Sequence, residues 1–414
     1  MHDQSTARLH QDPSAPSRRQ FVAAAAAAAS AMTVALPASA QQAQPKIKLG
    51  VVGCGGRGAW IARLFKNHGA YDIHALADYF PDVANAAGDA LGVDKSRRFS
   101  SLSGYKKVIE SGVDAVALET PPYFFPEHAR AAVDAGLHVY LAKPVAVDVP
   151  GCLAIEAAAR KAATNKKCFL VDYQIPTDPF NIEALNRARD GGLGRLFVVH
   201  SHYFGGQFPD PPKTATIESR LRFLTWCNDV ALGGGYHVNA CIHSIHGGLL
   251  LVGKTPAAAT GFSSIRRNNP HGDSHDAFSI SFQFADGLVW NHLARHGNGL
   301  FAPEQVFSGC EFLADPAFLR IGYGGRTILR GGPKQYAGGD VQNLYEAGAV
   351  RNIATFHKNV TEAAADTTTV RLAIDSCLMT ILAREACLRG DKITWDQLLK
   401  ENKTLSADLS GLKA

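Results

Sequence analysis

Three sets of residues have types and spacing that chemistry needs. The first is the turn Gly53-Cys54-Gly55-Gly56-Arg57-Gly58, a G-x-G-x-x-G pattern between a short apolar run and a segment of helical spacing. Its first glycine permits a tight turn and its second lets the backbone approach a pyrophosphate. The third packs helix on strand, and the helix N-terminus offers amide donors to negative charge. Asp78 stands 20 residues beyond Gly58, at the end of the next apolar run. A carboxylate there accepts hydrogen bonds from an adenosine ribose and repels a 2′-phosphate, which favours NAD over NADP. Arg57 either offsets Asp78 in part or touches phosphate.

The second set is Lys143 with Pro144. A lysine at the carboxyl end of a parallel strand sits where ligands bind, and the proline fixes the turn that aims it. Desolvated beside a cationic nicotinamide, its proton affinity falls, so it is a candidate proton acceptor or donor. The third set is Asn239 and His243, four apart and on one face if helical. His243 is suited to exchanging a proton with a hydroxyl while Asn239 orients substrate or imidazole. A solvated lysine and an interior histidine are the plainer alternatives. Tyr203, Arg220, Arg222 and Trp226 are weaker candidates for a sugar site, by stacking and hydrogen bonding, or else ordinary loop residues. His237, His243 and His246 cluster in sequence, and His271 and His275 are four apart. No cysteine or carboxylate completes an obvious ligand set with them, so no metal is expected.

The elements that must position these residues alternate. Strands are expected at 46–53, 73–77, 114–118 and 137–141, with helical spacing at 59–67, 84–91, 105–111 and 127–135. That order implies an N-terminal Rossmann-type, doubly wound parallel sheet over residues 46–170. Beyond it the pattern changes: a strand at 168–173, a helix at 180–189, β-rich segments at 196–203 and 258–265, and a hairpin turning at Asp286-Gly287. With helices over 352–389, residues 171–390 read as a C-terminal α+β domain on a mostly antiparallel open sheet. Residues 391–414 read as a polar tail. The fold class is therefore α/β.

Set in that order, further short motifs carry a resemblance. They are Thr120-Pro121-Pro122, His128, the run from His138 to Pro144, Asp190-Gly191-Gly192-Leu193-Gly194, Gly233-Gly234-Gly235 and Asn239-x-x-x-His243. With the glycine turn they resemble the Gfo/Idh/MocA family of oxidoreductases across nearly all of residues 41–414. The resemblance implies a Rossmann domain joined to an open-sheet domain, NAD as cofactor, a sugar or polyol substrate between them, and a homo-oligomer, dimer or tetramer. It places Lys143 on the lysine of the family's E-K-P motif and His243 on its acid/base histidine. It adds Thr120, Pro121, Pro122 and His128 to the cofactor residues Gly53, Gly55, Gly56, Arg57, Gly58, Asp78 and Lys143. Two positions depart from the pattern: Ala142 stands where the motif has Glu, and Asn239 where it has Asp. An oxidoreductase is the first reading. A redox-neutral NAD-dependent glycosidase and a non-catalytic sugar-binding protein are the alternatives.

At the N-terminus, Ser17-Arg18-Arg19-Gln20-Phe21-Val22 precedes seven alanines and then Leu36-Pro37-Ala38-Ser39-Ala40. A twin-arginine pair, a weakly apolar segment and a small-x-small site make a Tat-type export signal over residues 1–40, followed by a linker at 41–45. The expectation is passage through the Tat machinery to the periplasm, with no membrane anchor. The signal resembles that of the exported glucose–fructose oxidoreductase branch. Of the formal charge of +5 in 414 residues, +4 lies beyond residue 40 with no basic run, which argues against nucleic acid as a partner. The 8 cysteines show no C-x-x-C pair and read as free thiols.

Overall fold

The computed structural model describes residues 46–297 and 308–414. The expected export signal and linker lie outside the described residues. Among the described residues no helix is long and apolar enough to cross a membrane.

The chain opens with β1 (Ile47–Val52), buried at every position but Lys48, as a strand covered on both faces must be. The helix α1 (Gly56–His68) begins three residues ahead of its first apolar position and stops at Gly69, which takes a left-handed conformation at φ 85°. Then come β2 (Tyr71–Asp78), α2 (Pro81–Leu91), β3 (Arg98–Ser100), α3 (Gly104–Glu110), β4 (Ala115–Leu118), α4 (Phe125–Asp134), β5 (His138–Ala142), α5 (Val149–Thr164) and β6 (Phe169–Asp172). The six strands form a parallel sheet in the order β3-β2-β1-β4-β5-β6. In the β4–β5 ladder Ala115 pairs with His138 and Leu118 with Leu141. The strand expected at 168–173 is thus the edge of this first sheet, not the start of the second domain, and a boundary at 170 falls inside it.

After α6 (Pro179–Arg187) comes β7 (Gly194–Gly205), the centre of a second sheet. The helix α7 (Ile242–Val252) precedes β8 (Ala258–Ser264), β9 (Ala277–Gln283) and β10 (Val289–His296). The hairpin between β9 and β10 turns at Asp286-Gly287, with Gly287 at φ 86°. Next are β11 (Ser308–Pro316), β12 (Phe318–Gly322), β13 (Gly325–Arg330) and β14 (Tyr336–Val341), none of them foreseen. With β15 (Ile393–Thr394) at one edge, the nine-stranded order is β14-β13-β12-β11-β7-β10-β9-β8-β15, antiparallel throughout except for β7 beside β10.

The helical region at 352–389 resolves into α8 (Leu344–Thr361) and α9 (Thr368–Arg389). Ala349, Ile353 and Phe356 of α8 pack with Ile61 and Phe65 of α1 and Tyr140 of β5, so the chain returns to cover the first sheet. Nor is the C-terminus simply a polar tail. Ile393–Thr394 is β15, hydrogen-bonded to β8, and α10 (Trp395–Glu401) follows, with Leu398 buried. The terminal residues reach the first sheet's loops: Leu102 N–H donates to the Lys413 carbonyl at 3.0 Å.

Candidate active site

The glycine turn is dictated by crowding. Gly53 sits at φ 92°, and a Cβ on it would lie 2.6 Å from the Glu119 carbonyl carbon. A Cβ on Gly58 would lie 1.8 Å from the Gly53 oxygen, so helix and strand close together only on glycine. At Gly55 and Gly56, by contrast, a Cβ would meet nothing within 4 Å, leaving backbone open to a ligand. Asp78 ties this turn to the end of β2: its Oδ2 accepts from Cys54 N–H at 2.8 Å and its Oδ1 from Phe80 N–H at 3.0 Å. Burial raises its pKa against the pull of those two amides.

These groups border a cleft of about 750 Å³, which Lys143, Asn239 and His243 also line, with Thr120, Pro121, His128, Tyr203 and Trp226. Lys143 follows β5, and its Nζ donates to the backbone carbonyl of Asn239 at 2.8 Å. Burial, then the nearby Arg57 charge, lowers its pKa to about 8. Asn239 lies in the turn His237–Cys241 and His243 in the first turn of α7. The side chain of Asn239 accepts from the Cys227 thiol at 3.3 Å, while its Nδ2 is buried without a partner among the described residues. His243 is buried, its Nδ1 likewise unpartnered, and its ring is T-shaped to Tyr323 at 5.0 Å and stacked on Tyr203 at 6.1 Å. Burial and the charges of Lys143 and Arg57 hold this imidazole well below its ordinary pKa, so it is neutral at neutral pH.

Other candidates sit differently. Arg57 turns away from Asp78. Its Nε is 2.9 Å from a Glu119 carboxylate oxygen, it also pairs with Asp172, and it donates to Tyr345 Oη at 2.5 Å. His128 is buried beside Tyr105, ring centroids 4.2 Å apart, with its pKa lowered by burial to about 3. Pro122 is buried in the turn Pro122–Phe124. Arg222 pairs with both Asp82 oxygens at 3.0 Å and lies 3.7 Å from the Phe80 ring centroid, outside the sugar end of the cleft. Arg220 is wholly buried between Asp210 and Asp229, each at 2.7 Å, and holds its loop together. The histidines of the expected cluster separate: His246 stacks on Tyr173 at 3.7 Å, and His237 groups with Cys241 and His292 in the core.

Glu119 and Asp172 went unforeseen, though the signal was available. Each stands at the carboxyl end of a parallel strand, the placement that singled out Lys143. Both side chains are fully buried. Asp172 Oδ1 accepts from Asn352 Nδ2 at 2.7 Å, and burial lifts Glu119 to about 7 against the opposing Arg57 charge.

A turn crowded into glycine, an acidic residue at the second strand's end and a lysine–histidine pair across one cleft define a dinucleotide-dependent oxidoreductase scaffold. The oxidoreductase family with an NAD-binding Rossmann fold, Gfo/Idh/MocA, matches residues 47–173, and the family's C-terminal domain matches residues 182–296. The chain belongs to this family. It is 22% identical to an inositol 2-dehydrogenase of Rhizobium meliloti over 243 residues, 58% of this chain and 66% of that one. It is 26% identical over 161 residues to a glycosyl hydrolase family 109 protein of Phocaeicola vulgatus, 38% of this chain and 31% of that one. The chain spans less than two thirds of the length of these curated relatives. Among solved structures, an aldose–aldose oxidoreductase from Caulobacter crescentus superimposes with a TM-score of 0.67 at 19% identity, over 84% of this chain and 99% of the other. The residues present fit NAD: open backbone at Gly55 and Gly56, and a carboxylate at Asp78.

Proposed function

We propose that the protein oxidises a hydroxyl of a sugar or polyol with tightly held NAD. One observation carries this reading: the glycine turn with Asp78, and the group Lys143, Asn239 and His243, line a single cleft. When bound, NAD supplies the hydride acceptor. This chain's residues take the hydroxyl proton as the carbinol becomes a carbonyl. Neutral His243 has Nδ1 available to accept it, and Lys143 at about 8 exchanges it near neutral pH. Asn239 Nδ2 is placed to donate to a substrate oxygen, and Tyr203 and Trp226 offer apolar ring faces to a sugar.

A second reading, redox-neutral bond cleavage, draws on the cover at the Asp78 end. Leu221, Phe223 and Leu224 line the cleft there, and Arg222 ties their loop to Asp82 and Phe80. Lys413 N–H donates to Tyr79 Oη at 3.2 Å on the same rim. A cofactor enclosed in this way is reset in place, by a second substrate or by return of hydride to the same molecule. Export by a twin-arginine leader at residues 1–40 belongs to this proposal, because a dinucleotide kept through export needs no supply outside the cytoplasm. So does self-association through the outer face of the second sheet, where Phe262 is 81% and Leu293 53% exposed.

The test is to incubate purified protein with aldoses, inositols and aryl glycosides. Net NADH supports the first reading, and aglycone release without net NADH the second. Binding without either product sinks both.

A further inference from the structure

The strand register that places Lys143 also places a carboxylate beside it. Leu118 of β4 pairs with Leu141 of β5, so the next residues, Glu119 and Ala142, stand opposite one another at the mouth of the cleft. Neighbouring strands lie about 4.8 Å apart. Lys143 follows directly, and Ala142 leaves its own strand without an acid. Glu119 lines the same cleft, its side chain is fully buried, and it keeps Oε1 without a hydrogen-bond partner among the described residues.

The groups packed around the pair narrow the source of negative charge. Arg57 from α1 is the second cation, with Tyr345 of α8 donated to by its guanidinium. From the other side Cys227, Cys241 and His243 face Lys143, the thiols kept protonated and the imidazole neutral by burial. Asp172 from β6, near the Tyr140 hydroxyl, is the other acid and also raises the proton affinity of Lys143, but Arg57 occupies one of its oxygens and Asn352 the other. Glu119 alone retains an uncommitted oxygen.

We propose that Glu119 is the positioning residue that sets the protonation of Lys143, acting from the neighbouring strand in place of an acid at position 142. Burial lifts its carboxyl to about 7 while Lys143 falls to about 8, so Glu119 is charged over the range in which Lys143 titrates. Arg57 keeps Glu119 from rising further and pushes Lys143 down; Cys227, Asp172 and Glu119 push Lys143 back up. The inference rests on Lys143 as the proton-handling group, and its test reads that lysine without any substrate.

The full chain with NAD bound is labelled with trace acetic anhydride over a pH series, and acetylation of the Lys143 peptide is followed by mass spectrometry. Removing the negative charge in Glu119→Gln lowers the labelling midpoint measurably, by a fraction of a pH unit. Glu119→Asp, which keeps the charge, stays near the wild type. The exchange Glu119→Ala with Ala142→Glu returns the midpoint toward the wild type, whereas Glu119→Ala alone does not. Thermal melting and NAD titration identify variants that have folded. An unchanged midpoint in folded Glu119→Gln overturns the proposal. Where that variant does not fold, an exchange variant labelling no differently from Glu119→Ala overturns it. If no sugar is turned over and the midpoints still move, the substrate reading fails and this one stands.

Discussion

Replacing Lys143 with Met exposes the stability the fold gives up to keep this lysine. Its pKa falls from the ordinary 10.5 to about 8, because burial and Arg57 disfavour the ammonium. The sign follows from linkage. Below about 8 the lysine is charged in both folded and unfolded chains, and the folded state carries the full cost of burying it. As pH rises from 8 toward 10.5 the folded chain sheds this proton first, and the cost is relieved. The span amounts to about 3 kcal/mol, and cleft water reduces it to roughly 2 kcal/mol. Lys143→Met also removes the hydrogen bond to the Asn239 carbonyl, worth about 1 kcal/mol, but that loss does not change with pH. Wild-type stability minus variant stability should therefore rise by roughly 2 kcal/mol between pH 7 and pH 10.5. Urea unfolding at both pH values measures it, and turnover should be lost in the variant while NAD still binds. A difference that stays flat across that range would show that the lysine is not held in a strongly desolvated site, and the proton-transfer role argued from its lowered pKa would go with it.

Two other substitutions read the cofactor end. Asp78→Asn keeps the side chain's shape and an acceptor for one of the Cys54 and Phe80 amides, but removes the charge and the other amide's acceptor, so NAD should weaken by about 2 kcal/mol, near thirtyfold, while NADP weakens less. Calorimetric titration of both nucleotides decides it, and tighter binding of NADP than NAD by the wild type would reverse the assignment. Arg222→Ala removes the guanidinium over Phe80, worth about 0.5–1 kcal/mol, so bound NAD should leave roughly two- to fivefold faster in a stopped-flow chase. An unaltered release rate would mean that the loop does not enclose the cofactor.

What was readable in the chain was what local chemistry decides. Gly58 stands where the Gly53 backbone five residues away excludes a Cβ, and Lys143 where a short apolar strand ends; such signals need only a dozen neighbouring residues. The contacts that crowd Gly53 come instead from Glu119 and Thr120, at the end of the next strand of the sheet. The outer strands of the second sheet, Ser308–Pro316 to Tyr336–Val341, escaped notice because their burial alternates irregularly and a bulge shifts the register between Leu313 and Ala314. The partners of Arg57 were hidden for a different reason. Glu119, Asp172 and Tyr345 lie 62, 115 and 288 positions away, so its neighbours along the chain did not reveal them.

The same distinction explains why the missing acid at position 142 was legible as a departure but its counterpart was not. Along the chain, Ala142 and Glu119 are separated by a helix and a strand, and each looks like an isolated substitution. The parallel ladder brings them to adjacent positions, where one acid serves either strand at nearly the same place in space. On the proposal above, Glu119 supplies negative charge to Lys143 and a guanidinium holds it there, Arg57 reaching Glu119 at 2.9 Å. A pattern read along one strand records which residue carries the charge; only the sheet records that the charge is there.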